Sequence, residues 1–188
     1  MGDWEIKRYL IAILIVFVLA SGMAISCSPG LQTFNKYGIS FKVARELKLV
    51  EYTVDIEKMT SRIGNASYEH GAIMSTEKNF VFLWVTTIPK FTDEEVRLSI
   101  LSTPNSFESA TGKFQATVTG DLVTQDIAGF EVTSARMRFT QPNWSAQGIT
   151  AVWYCPDSQR TIQIILINNK PDTEMKRFIR SFSCTPQN

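Results

Sequence analysis

The chain has 188 residues, of which 44% are hydrophobic and 20% are charged, and its formal net charge is +1. These proportions are typical of a folded globular protein and exclude an intrinsically disordered chain. The balanced charge argues against a nucleic acid as partner, because neutralising phosphates requires a strong basic excess.

An uncharged apolar segment is the first feature along the chain. Residues 1–8 are polar and end in Lys7 and Arg8, whereas residues 9–26 contain no charged side chain. A segment of this length is at the short end of the range for a helix that crosses a bilayer. Because Lys and Arg stay on the cytoplasmic side, we expect residues 1–8 to be cytoplasmic and residues 9–26 to be a transmembrane or lipoprotein-signal segment. The remaining chain would lie outside the cytoplasm, at the cell membrane.

Cys27 follows this segment directly and leaves three fates open. Ser26 is the small residue that precedes the modified cysteine in bacterial lipoprotein signals, although Ala24 is a weak match to the usual aliphatic residue. Cys27 is therefore a lipidation candidate, and an uncleaved anchor or complete release are the alternatives. Residues 27–36 are interpreted as a tether, and residues 37–188 as an extracytoplasmic domain.

Alternating apolar and polar residues predict the first strands of this domain. In residues 37–44, Ile39, Phe41 and Val43 share one face, as in a half-buried strand. A later run, residues 79–88, is apolar on both faces, which is typical of a central strand covered on both sides. The other strands predicted in this part are residues 48–54 and 67–75.

A helix is predicted over residues 91–102. Thr92 and Glu95 form a capping box, in which each side chain can accept a hydrogen bond from the other residue's backbone N–H. Phe91 and Val96 have the spacing of the hydrophobic staple that accompanies such a start.

Turn residues divide the rest of the domain into further strands and a final helix. The helix is predicted over residues 170–183, with Asp172 as its cap. Short connections favour an antiparallel sheet, and a two-sided central strand requires cover on both faces. The predicted fold class is therefore α+β, an antiparallel sheet flanked by helices on both faces. The strands are residues 113–120, 121–127, 129–140, 147–155 and 160–168; the apolar helix stripe is Met175, Phe178, Ile179 and Phe182; its solvent-facing basic residues are Lys176, Arg177 and Arg180.

The other two cysteines, Cys155 and Cys184, are candidates for a disulfide. Cys155 ends a predicted strand and Cys184 follows the final helix, so a bridge would fasten that helix to the sheet. The loop between them predicts a stabilisation of about 3–4 kcal/mol. Two buried free thiols are the alternative.

Candidate surface sites are few. Asn65 and Asn143 begin Asn-x-Ser sequons, which are glycosylation candidates in an organism that glycosylates. Trp144 lies in a predicted loop, where an exposed aromatic residue can anchor a partner, although a tryptophan folded over the core edge is the alternative. His70 is the single histidine, and no G-x-S-x-G turn accompanies it.

Two stretches resemble the PsbP/Mog1-like superfamily. Residues 37–51, YGISFKVARELKLVE, resemble its opening, where an aromatic-Gly-x-x-Phe strand leads into a second strand through a Pro and a Trp. Ala44 and Leu47 stand near those two positions here. Residues 175–184, MKRFIRSFSC, resemble its closing helix. The resemblance implies an α/β/α sandwich and members that are assembly or accessory subunits, small-protein binders or anchored lipoproteins, and it carries over no catalytic residue.

The sequence thus predicts a membrane-tethered, extracytoplasmic, non-catalytic binding or accessory protein. Its partners would be the membrane, through residues 9–26 or a lipidated Cys27, and a protein; no cofactor or metal is expected. One alternative is a subunit of a larger membrane complex, in which small residues of the apolar segment permit close helix packing. The other alternative is an extracytoplasmic hydrolase that uses His70.

Overall fold

The computed structural model describes residues 30–36, 38–45, 48–53, 68–75, 80–86, 90–111 and 115–184. The apolar segment at residues 9–26, Cys27 and Asn65 lie outside these ranges. Within them, no helix has both the length and the apolar character that crossing a bilayer requires. The described elements are β1 (Leu31–Lys36), β2 (Ile39–Ala44), β3 (Lys48–Thr53), β4 (Tyr68–Ser75), β5 (Phe80–Thr86), α1 (Asp93–Thr111), β6 (Gln115–Val118), β7 (Val123–Ile127), β8 (Phe130–Gln141), β9 (Trp144–Cys155), β10 (Arg160–Ile167), α2 (Pro171–Arg180) and β11 (Ser183–Cys184).

The larger sheet has eight strands, ordered β3-β4-β5-β10-β9-β8-β6, with β7 pairing a second part of β8. Its strand pairs are antiparallel, as predicted. Every residue of β10 is buried, because the sheet is covered on both faces there. The predicted central strand corresponds to β5, which lies inside the sheet between β4 and β10.

Strands β9 and β10 approach each other closely at Gly148 of β9. A β-carbon at this position would lie 2.5 Å from the Leu166 carbonyl oxygen and 2.5 Å from Phe139 Cε2. Contacts this short do not occur between a real side chain and its neighbours, so the packing of β8, β9 and β10 requires glycine here.

The smaller sheet has three strands, ordered β1-β2-β11. Residues 31–36, which were expected to belong to a tether, instead form β1 and pair with β2 along their whole length. Phe34 is the reason, because its ring stacks on Phe41 with 4.7 Å between centroids and is 5% exposed. The folded domain therefore begins at or before Leu31. In β2 the predicted alternation is confirmed, since Ile39, Phe41 and Val43 are all buried.

Helix α1 covers one face of the larger sheet. The predicted capping box is confirmed: Thr92 N donates to Glu95 Oε2 at 2.7 Å, and Glu95 N donates to Thr92 Oγ1 at 3.3 Å. Phe91 and Val96 of the staple belong to the same apolar cluster beneath the helix. The helix extends past Pro104 to Thr111, beyond the predicted end at Ser102.

The opposite face of the larger sheet is covered by the smaller sheet and α2, and the main core lies between these two layers. Helix α2 is shorter than predicted and ends at Arg180, because Ser183 and Cys184 pair with β2 instead. The predicted cap was wrong: Lys170 is the N-cap, and Asp172 lies in the first turn, where its Oδ2 is 3.1 Å from Arg136 Nη2. The apolar stripe is confirmed as core and comprises Met175, Phe178, Ile179 and Phe182.

Candidate functional site

A disulfide joins the two sheets. Cys155, at the end of β9, is bonded to Cys184 of β11, with their Cα atoms 5.8 Å apart. Cys155 is fully buried, and Cys184 packs against the main core. Because β9 belongs to the larger sheet and β11 to the smaller one, the bridge closes the core at the chain's C-terminal end. This agrees with the predicted pairing rather than with two free thiols.

The β8–β9 hairpin presents the partner-binding candidate, Trp144. Gln141 pairs with Trp144 across a two-residue turn formed by Pro142 and Asn143. Trp144 is thus the first residue of β9, and the loop predicted around it is in fact a hairpin strand. We call residues 141–145 the hairpin tip. Trp144 is 38% exposed there.

The position of Trp144 in β9 determines which side of the sheet it occupies. Alternation places it on the same face as Thr150 and Val152, which lie beneath α1. Other exposed apolar residues among those the structure describes are Leu31, Leu98, Leu101 and Val123. Of these five, Trp144 is the aromatic residue, and it sits at the end of a hairpin whose two strands are twelve residues long each. A large ring held by paired strands loses little conformational freedom on binding, which favours it as an anchor.

The sequon at Asn143 shares the hairpin tip. Asn143 and Ser145 are both exposed, so the acceptor asparagine is accessible to a glycosylating enzyme. A glycan on Asn143 would stand beside the Trp144 ring and would obstruct a protein partner. Glycosylation at this position and partner binding through Trp144 are therefore competing predictions.

His70 lies in β4, an inner strand, where it pairs with Thr53 of β3 and Val85 of β5. Ser75 is five residues further along the same strand, which corresponds to about 17 Å. This separation of the two backbone positions argues against a nucleophile and base pair formed by Ser75 and His70. In the part of the chain that the structure describes, no three His, Cys, Asp or Glu residues are grouped to hold a metal ion.

A buried polar cluster that the sequence analysis missed lies between α1 and the larger sheet. Gln163 of β10 accepts a hydrogen bond from Ser99 Oγ at 2.8 Å, and its Nε2 donates to Thr103 Oγ1 at 2.9 Å. All three residues are at most 5% exposed. A glutamine within the apolar run of β10 was the available signal. Because its amide is hydrogen-bonded on both sides, the cluster fixes the position of α1 and leaves no polar group aimed at a ligand.

Comparisons with known proteins address the fold. No protein-family model matches the chain, and no curated protein matches it. The architecture is an antiparallel α+β sandwich, and it is similar to the solution structure of cyanobacterial PsbP (CyanoP) from Synechocystis sp. PCC 6803. The TM-score is 0.54 at 15% identity, and the match covers 88% of this chain and 98% of that one. The likeness shows a PsbP-like fold, in agreement with the resemblance read from the sequence.

Proposed function

We propose that the protein is a membrane-tethered, extracytoplasmic domain that binds a protein partner and has an accessory rather than a catalytic role. The observation that carries this proposal is the Cys155–Cys184 bridge. Structural disulfides persist in oxidising compartments and are rare in the cytosol. A buried bridge that closes the core therefore supports a location outside the cytoplasm.

The tether follows from the sequence that precedes the domain. The uncharged segment at residues 9–26 has Lys7 and Arg8 on its N-terminal side, which favours a cytoplasmic N-terminus and an external domain. Retention as a membrane helix and lipidation at Cys27 both hold the domain at the membrane. The fold likeness and the accessory roles that the superfamily resemblance implies support binding as the mode of action.

The hairpin tip is the contact that we propose for the partner. Trp144 is exposed, is held on paired strands and adjoins a turn whose Pro142 restricts backbone motion. Aromatic residues in such positions contribute a large share of interface energy, so truncating one costs about 2 kcal/mol or more when it is an anchor. That cost corresponds to a loss of about thirtyfold in affinity.

Copurification tests this proposal. The full chain would be extracted from its own membranes in mild detergent, and the recovered partner quantified for the wild type, Trp144→Ala and Leu101→Ala. Leu101, which is 40% exposed on α1, is the matched control for loss of an exposed apolar side chain. We expect Trp144→Ala to lose the partner while Leu101→Ala retains it, with both variants unfolding at the wild-type temperature. A wild-type chain that runs alone, or equal recovery with both variants, would contradict the proposal.

A further inference from the structure

Charge is distributed unevenly between the layers of the domain. Residues 30–45 and 170–184, which contain the smaller sheet and α2, hold seven Lys and Arg residues and two Asp and Glu residues, a net charge of +5. The whole chain carries +1, so the remainder carries −4. On the opposite layer, residues 90–111, which comprise α1 and the three residues before it, hold two basic and four acidic residues. The layer that contains the smaller sheet and α2 is therefore basic, whereas the layer that contains α1 is acidic.

A contact between β2 and the end of α2 places basic residues of both elements on the outer side of this layer. Lys42 lies on the exposed face of β2, opposite the buried Phe41 and Val43. Ser181, which follows α2, bonds to the backbone of β2 at Lys42, with 3.1 Å from Lys42 N to Ser181 Oγ. This contact brings Arg180 next to β2. We call Lys42, Arg45, Lys176, Arg177 and Arg180 the basic face; all are exposed except Lys176, which is half-buried.

The acidic residues of this layer do not neutralise the basic face. Glu174 pairs with Arg177 within α2. Asp172 pairs with Arg136 of β8, at the other end of the helix from Arg180. Among the residues that the structure describes, no ion pair joins an acidic residue to Lys42, Arg45, Lys176 or Arg180, and these four remain as the excess positive charge of the face.

Gly30, from which the sequence runs back to the apolar segment at residues 9–26, lies next to Arg45 of the basic face. Arg45 N donates to the Gly30 carbonyl at 2.7 Å, and the Arg45 guanidinium lies beside Gly30. Four peptide units connect Gly30 to Ser26, and an extended chain spans at most about 3.6 Å per residue, or about 14 Å in all. If residues 9–26 or a lipid on Cys27 are in the membrane, Arg45 is held within that distance of its surface.

An exposed apolar residue lies at the same place. Leu31, the first residue of β1, is 55% exposed. It is paired with Ala44 and lies on the outer face of the smaller sheet, together with Lys42. An apolar side chain flanked by basic residues is typical of surfaces that rest on lipid headgroups.

We infer that the basic face docks on a membrane surface that contains anionic lipids, so that the domain lies against the bilayer with α1 and its acidic layer facing away. This inference rests on the proposed tethering. Each basic residue near an anionic bilayer contributes about a fivefold factor to association, and the short tether removes most of the entropy cost of approach. An acidic protein surface is the competing occupant, and the experiment separates the two.

Lysine labelling of the full chain tests the inference. The protein would be reconstituted into nanodiscs of phosphatidylcholine alone or of phosphatidylcholine with phosphatidylglycerol, and acetylated with an amine-reactive reagent followed by peptide mass spectrometry. We expect labelling of Lys42 and Lys176 to slow about fivefold or more in the anionic discs. Lys90 is the internal control, since it is exposed at the start of α1 on the opposite layer and should be labelled equally in both. Protection should disappear at about 1 M salt, where the Debye length is about 3 Å.

A charge variant keeps the test specific. Arg45→Gln combined with Arg180→Gln should abolish the protection of Lys42, whereas Arg97→Gln on α1 should leave it unchanged. Equal labelling of Lys42 in both disc types, or protection of Lys90 instead, would overturn the docking inference while leaving the tether intact. Protection seen only in native membranes would assign the face to an acidic protein and would also overturn it. Failure of the chain to enter discs at all would refute the proposed tethering itself.

Discussion

Opening the Cys155–Cys184 bridge is expected to destabilise the domain substantially. The bridge closes a loop between residues that are 29 positions apart. For a loop of that length the chain-entropy relation gives about 3.6 kcal/mol of stabilisation at 25 °C. In a domain of this size, 1 kcal/mol changes the melting temperature by about 2–4 °C, so reduction should lower it by about 7–14 °C.

The end of the core next to β11 is expected to open first when the bridge is reduced. The strand β11 is two residues long and is held by its pairing with β2 and by the bridge. Just before it, Phe182 packs edge-on against Trp153, with 5.0 Å between ring centroids. Because Trp153 is only 2% exposed, its fluorescence should shift to longer wavelength when this end of the core opens.

The measurement is thermal unfolding of the full chain in detergent, with and without reductant, followed by tryptophan fluorescence and circular dichroism. Cys27→Ser is the matched control, because it removes the remaining cysteine without touching the bridge and should respond to reductant as the wild type does. A melting temperature that changes by less than about 2 °C on reduction would refute the argument that loop closure stabilises the fold. So would titration of three free thiols in the oxidised protein.

The remaining predictions concern packing and helix capping. Gly148→Ala should destabilise the domain by about 1–3 kcal/mol, because the added methyl group would overlap two neighbours. Gly120→Ala, where the nearest atom would be 3.7 Å from the added carbon, should be tolerated. Urea unfolding distinguishes the two variants, and equal unfolding midpoints would contradict the packing described. Thr92→Ala should cost about 1 kcal/mol by removing the capping box of α1, while Thr173→Ala, at an exposed position in α2, should cost less. If the two threonine variants unfolded at the same urea concentration, the cap would not contribute as described.

Local patterns predicted the elements whose signal lies within the chain. The alternation of Ile39, Phe41 and Val43 identified β2 because one face of that strand is buried and the other is in solvent. The Thr92 and Glu95 pair identified the start of α1 because its hydrogen bonds join residues three apart. Cover on both faces of the sheet was predicted from residues 79–88, and the described part of the structure shows such cover at β10, whose residues are all buried.

The elements that were missed depend on contacts distant in sequence or on weak local signals. β1 buries a single large side chain, Phe34, so it shows no alternation and was interpreted as a tether. β11 is two residues long and exists because it pairs with β2, from which it is separated by most of the chain. The predicted end of α1 at Ser102 was also wrong, because the helix continues through Pro104 to Thr111.

The candidate sites likewise differ in whether their signal is local in the sequence. The cysteine pair could be predicted because both residues adjoin elements that had been identified correctly. The hairpin position of Trp144 could not, since Pro142 and Asn143 read as part of a longer loop until the β8 and β9 register is known. The basic face was visible in sequence only as three residues of α2, because Lys42 and Arg45 join it through the pairing of β2 with the C-terminal segment.

Surface labelling of intact cells tests the central claim, an external domain held at the membrane, most directly. Cells stripped of any outer barrier would be treated with a membrane-impermeant amine reagent, and modification of Lys90 quantified in the membrane fraction before and after lysis. We predict full labelling of Lys90 in intact cells, with a cytoplasmic marker protein unlabelled and the chain recovered with the membranes. Lys90 labelled only after lysis, or a chain recovered in the soluble cytoplasmic fraction, would contradict the account.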